Sequence, residues 1–223
     1  DHACRMDVLV HLALTQADGD HRVVTAAHAG PGARRRIHPA HAGIDAIAEG
    51  RILAVCDLDL FDVAGETTLA ASLVRKGEAA ATANATIVSR LIAAGAIIIG
   101  RTNMTEFAYS GLGINPHYGT PANPWDRETG RIPGGSSSGA AISVTDGMAV
   151  AGIGSDTGGS VRIPAALCGL AGFKPTARRV PTSGALPLSE HLDSIGPLAP
   201  TVACCALLDA ILSGDDDAAV GGY

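Results

Sequence analysis

One stretch of the chain joins an amphipathic helix directly to a short apolar strand, and few folds accommodate that order. The segment NATIVSRLIAAG has a polar start, places Ile87, Leu91 and Ile92 on one helical face and ends at Gly95. The β-branched run AIIIG follows at once and is typical of a buried interior strand. A helix that leads straight into an interior strand predicts an α/β fold.

Other segments extend this pattern. Residues 52–55 predict a strand, MAVAGIGSD predicts a second buried strand, and SSSGAAISVTDG predicts a helix capped by one of its serines. Residues 101–135 are rich in turn formers and predict an ordered loop system, a common location for a binding cleft. The pattern favours a core location for Phe107, Tyr109 and Trp125.

Composition excludes several functional classes. A chain of 223 residues with 47% hydrophobic content is long enough for one α/β domain. The net charge is −6 and there is no long basic run, so the sequence does not indicate the clustered Lys and Arg that bind nucleic acid. No apolar run approaches the roughly 18 residues that cross a bilayer, and no signal-peptide pattern opens the sequence. We therefore expect a cytoplasmic protein without nucleic-acid or membrane partners.

The chain divides into three regions by pattern. Residues 1–50 form a poorly defined region rich in Ala, His and Arg, residues 51–213 carry the regular pattern of the core, and residues 214–223 predict a flexible tail. No histidine or cysteine cluster has metal-ligand spacing, so we expect no metal and no cofactor. The cysteines are expected to be small core residues, namely Cys4, Cys56, Cys168, Cys204 and Cys205.

Two glycine-rich loops each contain a Gly-Gly-Ser sequence, which ends at Ser136 in the first loop and at Ser160 in the second. Neither loop has a phosphate-binding pattern, and both border apolar segments, unlike a flexible linker. Residues 135–139 match the GxSxG elbow, but a polar loop precedes them where that motif needs a strand. Two serines brought together could instead serve as nucleophile and proton relay, with adjacent glycines leaving backbone N–H groups accessible.

The motifs FDVAG, GRTNMTEFA, NPWD, PGGSSSG, SDTGGSVRIPAALCGLAGFKPT and LDSIGPLAP occur in one order between about Leu60 and Leu212. In this the chain resembles the amidase signature family. The resemblance implies an α/β/α fold around a mixed sheet. It also implies hydrolysis of a small-molecule amide by a Ser–cis-Ser–Lys triad without a cofactor, in a protein compatible with a homodimer.

The resemblance assigns roles to individual residues. Ser160 matches the nucleophile, and Ser136 matches the serine that follows a cis peptide bond and relays the proton. The oxyanion hole matches the backbone amides of Thr157, Gly158 and Gly159. Ser137, Asp156 and Arg162 match family residues that are thought to hold the two loops in place.

The expected catalytic lysine is missing. Aligned from DLFDVAG, its position is Leu58, and aligned from AV, it is Cys56. The two lysines of the chain, Lys76 and Lys174, lie outside that motif. Because a positioned base typically contributes roughly 10²- to 10⁴-fold in rate, activity is expected to be weak unless another base serves.

Three functions remain open at this point. The first is a general amidase, with activity in doubt. The second is a glutaminase like the A subunit of a tRNA-dependent amidotransferase, which would depend on glutamine and a partner enzyme. The third is a non-catalytic protein that keeps the amidase fold. Members of the family are also longer, so the fold is expected to be incomplete.

Overall fold

The computed structural model describes residues 53–215 of the chain. The expected N-terminal region 1–50 and most of the tail 214–223 lie outside the described residues, as do Cys4 and the side chain of Cys56. The strands are β1 (Leu53–Leu58), β2 (Ala96–Thr102), β3 (Ala151–Asp156), β4 (Ala171–Gly172) and β5 (Ser194–Ala199). The helices are α1 (Thr86–Ala93), α2 (Ser138–Thr145), α3 (Arg162–Cys168) and α4 (Val202–Ser213), with a short 3₁₀ helix at Glu106–Ala108.

The strands form one mixed sheet in the order β2-β1-β3-β5-β4. β1 is parallel to both β2 and β3, whereas β5 is antiparallel to β3 and β4. Parallel strands end at the same edge of a sheet. The residues that follow β3 therefore lie beside the end of β1. This edge carries the loop that contains Ser160 and the end of β1, where the missing lysine is expected.

The helices pack on the sheet in two pairs. α1 contacts β2 and α4, and α4 packs on β5, while α2 contacts β3 and α3. The largest fully buried side chains come from both kinds of element and include Ile87, Leu91, Ile142, Ile153 and Leu208. This is the α/β/α arrangement around a mixed sheet that the family resemblance implies, and it agrees with the α/β fold that the sequence pattern predicts. Within residues 53–215, no helix combines the length and the apolar character that crossing a bilayer requires.

The predicted helix and strand at the start of this pattern are present, but two details differ. In α1 the buried stripe consists of Ile87, Val88 and Leu91, and Ile92 is 49% exposed. Ile92 is five positions after Ile87, so at 100° per residue it lies about 140° away around the helix. The AIIIG run forms β2, which lies at an edge of the described sheet and leaves two of its isoleucines partly exposed.

Two further expectations are wrong. Phe107, Tyr109 and Trp125 are exposed rather than in the core, and they lie in the long connection between β2 and α2. α2 begins after Ser137, but no serine hydroxyl caps it. The Ser137 hydroxyl points elsewhere and donates a long hydrogen bond to the Ser155 carbonyl at 3.5 Å.

Candidate active site

Ser136 lies in a loop whose backbone is held by neighbouring segments. The peptide bond between Gly135 and Ser136 is cis. The Gly135 N–H donates to the Gly111 carbonyl at 2.8 Å, and the Ser136 carbonyl accepts from the Thr105 N–H at 3.1 Å. A Cβ at Gly135 would lie 2.5 Å from the Gly113 nitrogen. Glycine is therefore required for this close approach.

Ser160 lies in the loop that β3 delivers at the sheet edge. β3 ends at Asp156, the Thr-Gly-Gly sequence follows, and α3 begins at Arg162 immediately after the loop. Ser160 is 8% exposed, and Ser136 is fully buried. Gly159 has φ +126°, a conformation that residues with side chains rarely adopt. The Ser160 loop thus depends on glycine as well.

The Asp156 carboxylate organises the loop that contains Ser160. It accepts from the Gly159 N–H at 2.8 Å, from the Val161 N–H at 3.1 Å and from two nitrogens of the Arg162 guanidinium at 2.9 and 3.0 Å. Burial disfavours the charged carboxylate, but these hydrogen bonds outweigh burial and hold the Asp156 pKa below its usual range. Asp156 is therefore ionised at neutral pH and fixes the turn.

Ser137 joins the two serine loops. Its N–H donates to the Ser160 carbonyl at 3.2 Å. Its hydroxyl lies against Gly154 of β3, where an added Cβ would come within 2.5 Å of the Ser137 oxygen. Backbone and side chain of Ser137 thus both bring the Ser136 loop onto β3 and the Ser160 loop.

The backbone amides around Ser160 differ in what they contact. Gly159 donates its N–H to the Asp156 carboxylate. Among the described residues, no acceptor is found for the N–H groups of Thr157, Gly158 and Ser160. A cluster of backbone N–H groups without acceptors at the end of a strand is suited to bind a negatively charged oxygen.

Ser136 Oγ is buried and has no hydrogen-bond partner in the described part of the chain. Two neighbouring hydroxyls, those of Thr105 and Ser138, are in the same condition. A buried hydroxyl without a partner carries a free-energy cost, and such groups are common where a reaction needs a donor or acceptor. Ser136 Oγ is thus available to exchange a proton.

No described lysine contacts Ser136. Leu58 is the last residue of β1 and pairs with Thr102 of β2. Lys76 is exposed. Lys174 Nζ donates to the Pro175 carbonyl at 2.8 Å and to Ser194 Oγ at 3.4 Å. The hydrogen bonds of the Lys174 ammonium are therefore made away from the serine pair.

Sequence reasoning missed one contact to the Ser160 loop. The Thr157 hydroxyl donates to the Asp193 carboxylate, although the two residues are 36 positions apart. Asp193 belongs to the LDSIGPLAP motif, which is the available sequence signal, but its spacing from Thr157 has no local pattern. The contact is therefore visible only in the folded chain.

Other candidate sites are less well supported. Residues 131–134, which precede the GxSxG sequence, form irregular backbone and not a strand, so that sequence is not a hydrolase elbow. A cavity of about 460 Å³ opens beside Asp62, Arg75 and Asn84 and is lined by neither Ser136 nor Ser160. Among residues 53–215, no cluster of His, Cys, Asp and Glu could hold a metal ion.

Comparison with known proteins decides the family. The Amidase family model matches residues 58–221, which is most of the chain. This chain belongs to the amidase family. The match begins at Leu58, the position that the gap-free alignment of DLFDVAG gives to the missing lysine.

Two curated relatives with different printed functions are similar to this chain. The chain is 46% identical to AtzE, the 1-carboxybiuret hydrolase subunit of Pseudomonas sp. (strain ADP), over 158 residues, which is 71% of this chain and 34% of that protein. It is 49% identical to the A subunit of glutamyl-tRNA(Gln) amidotransferase from Chloroflexus aggregans over 133 residues, which is 60% of this chain and 27% of that protein. The match with this amidase chain therefore spans between about a quarter and a third of the length of these relatives.

A solved structure supports the same relationship. The crystal structure of the A subunit of glutamyl-tRNA(Gln) amidotransferase from Thermotoga maritima matches with a TM-score of 0.69 and 40% sequence identity. The match covers 74% of this chain and 36% of that one. The mixed sheet of this chain is thus part of a larger amidase fold in that relative.

Proposed function

We propose that this amidase chain belongs to a hydrolase that cleaves a carbon–nitrogen amide bond with Ser160 as the nucleophile and Ser136 as the proton relay. One observation carries the proposal. The loop with the cis-linked, unpartnered Ser136 is joined to the Ser160 loop through the Ser137 N–H, next to backbone amides that lack acceptors among the described residues. A serine nucleophile, a proton relay and oxyanion-binding amides are three of the parts that acyl transfer through a serine requires, and the fourth is a general base.

The reaction follows from these parts. Ser160 Oγ forms a bond to the amide carbonyl carbon, and the carbonyl oxygen becomes an anion in the tetrahedral intermediate. The Ser160 proton passes to Ser136 Oγ, and Ser136 passes its own hydroxyl proton to a general base. The carbon–nitrogen bond then breaks, and ammonia or an amine leaves with a proton delivered back through Ser136. Water attacks the resulting ester, releases the carboxylic acid and restores Ser160.

The remaining residues support these steps. The N–H groups of Thr157 and Gly158 are positioned to stabilise the anion, and that of Ser160 itself can join them. The resemblance implies that Gly159 also belongs to the oxyanion hole, but its N–H donates to the Asp156 carboxylate. We assign Gly159 to the turn, together with Asp156 and Arg162.

The base for the first proton transfer is missing from the described part of the chain. Neither Leu58 nor Cys56 can take a proton as lysine does, and the described lysines do not contact Ser136. Without a positioned base the reaction should be slower by roughly 10²- to 10⁴-fold. This observation favours the non-catalytic alternative, in which the chain keeps the fold and binds small amides without turnover.

A second catalytic alternative is a glutaminase role. The chain resembles the A subunits of glutamyl-tRNA(Gln) amidotransferases from several organisms. That role requires glutamine as the amide and a partner that uses the ammonia. Hydrolysis of glutamine that increases when partner proteins are added would favour it over a general amidase.

The wider setting is part of the same proposal. We place the protein in the cytoplasm as a homodimer acting on a small amide, with residues 51–213 as its amidase core. Size-exclusion chromatography with light scattering tests the dimer, since a mass close to that of one chain would contradict it.

The decisive experiment treats the folded protein with a fluorophosphonate and locates any adduct by peptide mass spectrometry. Ser160 Oγ attacks phosphorus, fluoride leaves, and the phosphonyl group remains on the serine. We expect an adduct on Ser160 that is absent in Ser160→Ala, because the nucleophile and the oxyanion-binding amides act on the probe as on an amide.

Circular dichroism and thermal melting serve as the control for folding. A wild-type protein that melts cooperatively but carries no adduct on Ser160 after prolonged incubation would contradict the proposal. Binding of a small amide by calorimetry in that same sample would then establish the non-catalytic alternative. Labelling that persists elsewhere in Ser160→Ala would show that another serine is the nucleophile.

A further inference from the structure

Residues 182–193 form a segment that we call the strap. It runs from the residues that follow β1 to the start of β5, beside the end of β3. Its first part lies beside the residues that follow β1. There the Asp62 N–H donates to the Gly184 carbonyl at 2.8 Å, and the Leu186 N–H donates to the Leu60 carbonyl at 3.0 Å. Its last residue, Asp193, directly precedes β5, which pairs with β3. The strap therefore spans from the end of β1 to the end of β3.

Asp193 fastens the strap with a single carboxylate. One oxygen, Oδ2, accepts from the N–H groups of Leu188 at 2.8 Å and Ser189 at 2.9 Å, which closes a turn within the strap. The other oxygen, Oδ1, accepts from the Thr157 hydroxyl. The same carboxylate thus joins the strap to the first residue of the Ser160 loop.

This contact constrains the Thr157 backbone. β3 fixes the preceding residue, Asp156, through its ladder with β5, and the Asp193 carboxylate fixes the Thr157 side chain. A hydrogen bond from a hydroxyl to a carboxylate is stronger than one between neutral groups. With both its chain neighbour and its side chain held, Thr157 presents its N–H in one direction.

We propose that Asp193 is a positioning residue, which acts through the Thr157 side chain to aim the Thr157 N–H at the developing oxyanion. This inference rests on the proposed function, because it gives the Thr157 amide its task. Donors that are already oriented before the reaction need no reorganisation when charge develops, which is where their effect on rate arises. The strap is then part of the catalytic architecture and not only of the fold.

The test compares fluorophosphonate labelling of Ser160 in variants of both partners. We expect Thr157→Val and Asp193→Asn each to lower the limiting rate of labelling by about 10-fold. The probe concentration at half-maximal rate should stay within about twofold, since probe binding is not affected. Thr157→Ser keeps the hydroxyl and should label several times faster than Thr157→Val.

The double variant Thr157→Val/Asp193→Asn separates positioning from general damage. Residues that act through one contact are not additive, so the double variant should label about as slowly as either single variant. Asp126→Asn is the matched control and should label like the wild type. Asp126 is also a loop aspartate that accepts hydrogen bonds, but its partners are Thr129 and Arg131.

An Asp193→Asn protein that labels at the wild-type rate overturns the inference. It is also overturned if the loss of rate in the double variant equals the product of the two single losses, or if the loss of rate is explained by a lower melting temperature alone. If the wild type itself does not label, the proposed function fails. Amide hydrogen exchange then tests the Thr157–Asp193 contact on its own, and unchanged exchange of residues 157–160 in Asp193→Asn would overturn the inference as well.

Discussion

At the scale of the residue, Asp156 shows how a buried charge can be stabilised by its surroundings. Its side chain is fully buried, yet the carboxylate accepts from two backbone N–H groups and from the forked guanidinium of Arg162. Charge-assisted and bidentate hydrogen bonds of this kind are the strong ones in proteins. The sequence predicts the pair Asp156 and Arg162 through the family motif, but not the backbone partners.

Asp59 gives the opposite balance. Its carboxylate accepts from the N–H groups of Leu69 and Ala71, and Arg101 lies 3.6 Å away. Burial nevertheless dominates and raises the Asp59 pKa above its usual value. The two aspartates at the ends of parallel strands thus differ in charge preference. At Asp156 the hydrogen bonds from Arg162 and the loop amides outweigh burial, whereas at Asp59 burial outweighs the attraction of Arg101.

The Asp156 pKa leads to a prediction about stability and pH. Asp156→Asn should lower the free energy of unfolding by about 2 kcal/mol at pH 7, because a buried acceptor is lost. The folded-state pKa is depressed, so the contribution of the carboxylate is fully present above the ordinary aspartate pKa. It should disappear as the pH falls below about 4.

Urea denaturation of the wild type and Asp156→Asn between pH 3 and pH 7 measures this difference. We expect the two midpoints to be well separated at pH 7 and to converge at the acid end. Asp126→Asn is the comparison in a loop. Hydrogen bonds from Thr129 also lower the Asp126 pKa, but the carboxylate is in contact with solvent, so the midpoint should shift much less than in Asp156→Asn. Separation that is constant across the pH range would contradict the assigned role of the charge.

At the scale of the element, local periodicity predicts which segments form helices and strands. It does not predict where a strand lies in the sheet. The helix α1 and the buried strand β3 could be predicted because their periodicity is set by neighbouring residues. That β2 lies at an edge of the described sheet depends on which strands pair, and a β-branched run is the same in either place. The exposed Trp125 and Tyr109 are a similar case, since the aromatic type predicts burial and the loop decides against it.

The end of β1 carries the candidate positions of the missing lysine. The segment that begins at Asp59 is packed as a unit, with Leu60 and Phe61 bonded to the strap and Asp59 bonded to the following turn. The family match also starts at Leu58. Both observations favour Leu58 over Cys56 as the position of the missing lysine.

Restoring a lysine tests this position. Leu58→Lys should raise the rate of Ser160 labelling by about 10²-fold or more, because a neutral amine at the end of β1 would supply the missing base. Cys56→Lys is the matched variant on the same strand and should give no comparable increase. Labelling rate constants of both variants and the wild type, at pH 7 and pH 9, measure the effect.

The reverse result would assign the lysine position to Cys56. An increase in neither variant, with both proteins folded, would contradict a serine and lysine mechanism for this chain. A further variant tests whether the added lysine acts through Ser160 and does not itself react with the probe. Adding Ser160→Ala to Leu58→Lys should abolish the adduct.

At the scale of the whole molecule, the candidate site depends on contacts between distant parts of the chain. Ser136, Ser160 and Asp193 come from three segments that meet only at the sheet edge. Their chemistry could be predicted from motifs, because the family resemblance supplies the roles of the two serines. The Thr157–Asp193 contact and the occupied Gly159 N–H could not, since they follow from the geometry of the assembled loops.

The buried cysteines report on whether these parts form one cooperative unit. Cys168 ends α3, and Cys205 lies in α4, where its thiol contacts the Ala171 carbonyl of β4 at 3.5 Å. Burial raises the pKa of both thiols to about 12. At pH 8 only about one thiol in 10⁴ would then be ionised, so neither should react with iodoacetamide in the folded protein.

Alkylation in increasing urea, mapped by peptide mass spectrometry, measures when each cysteine becomes reactive. We expect Cys168 and Cys205 to become reactive together, at the urea concentration where circular dichroism is lost. α3 is linked to α4 through β4 and β5, so neither helix should open without disrupting the sheet. Reaction of Cys205 at a much lower urea concentration than Cys168 would show that α4 separates first. In that case α3, which follows the Ser160 loop, would remain folded without α4.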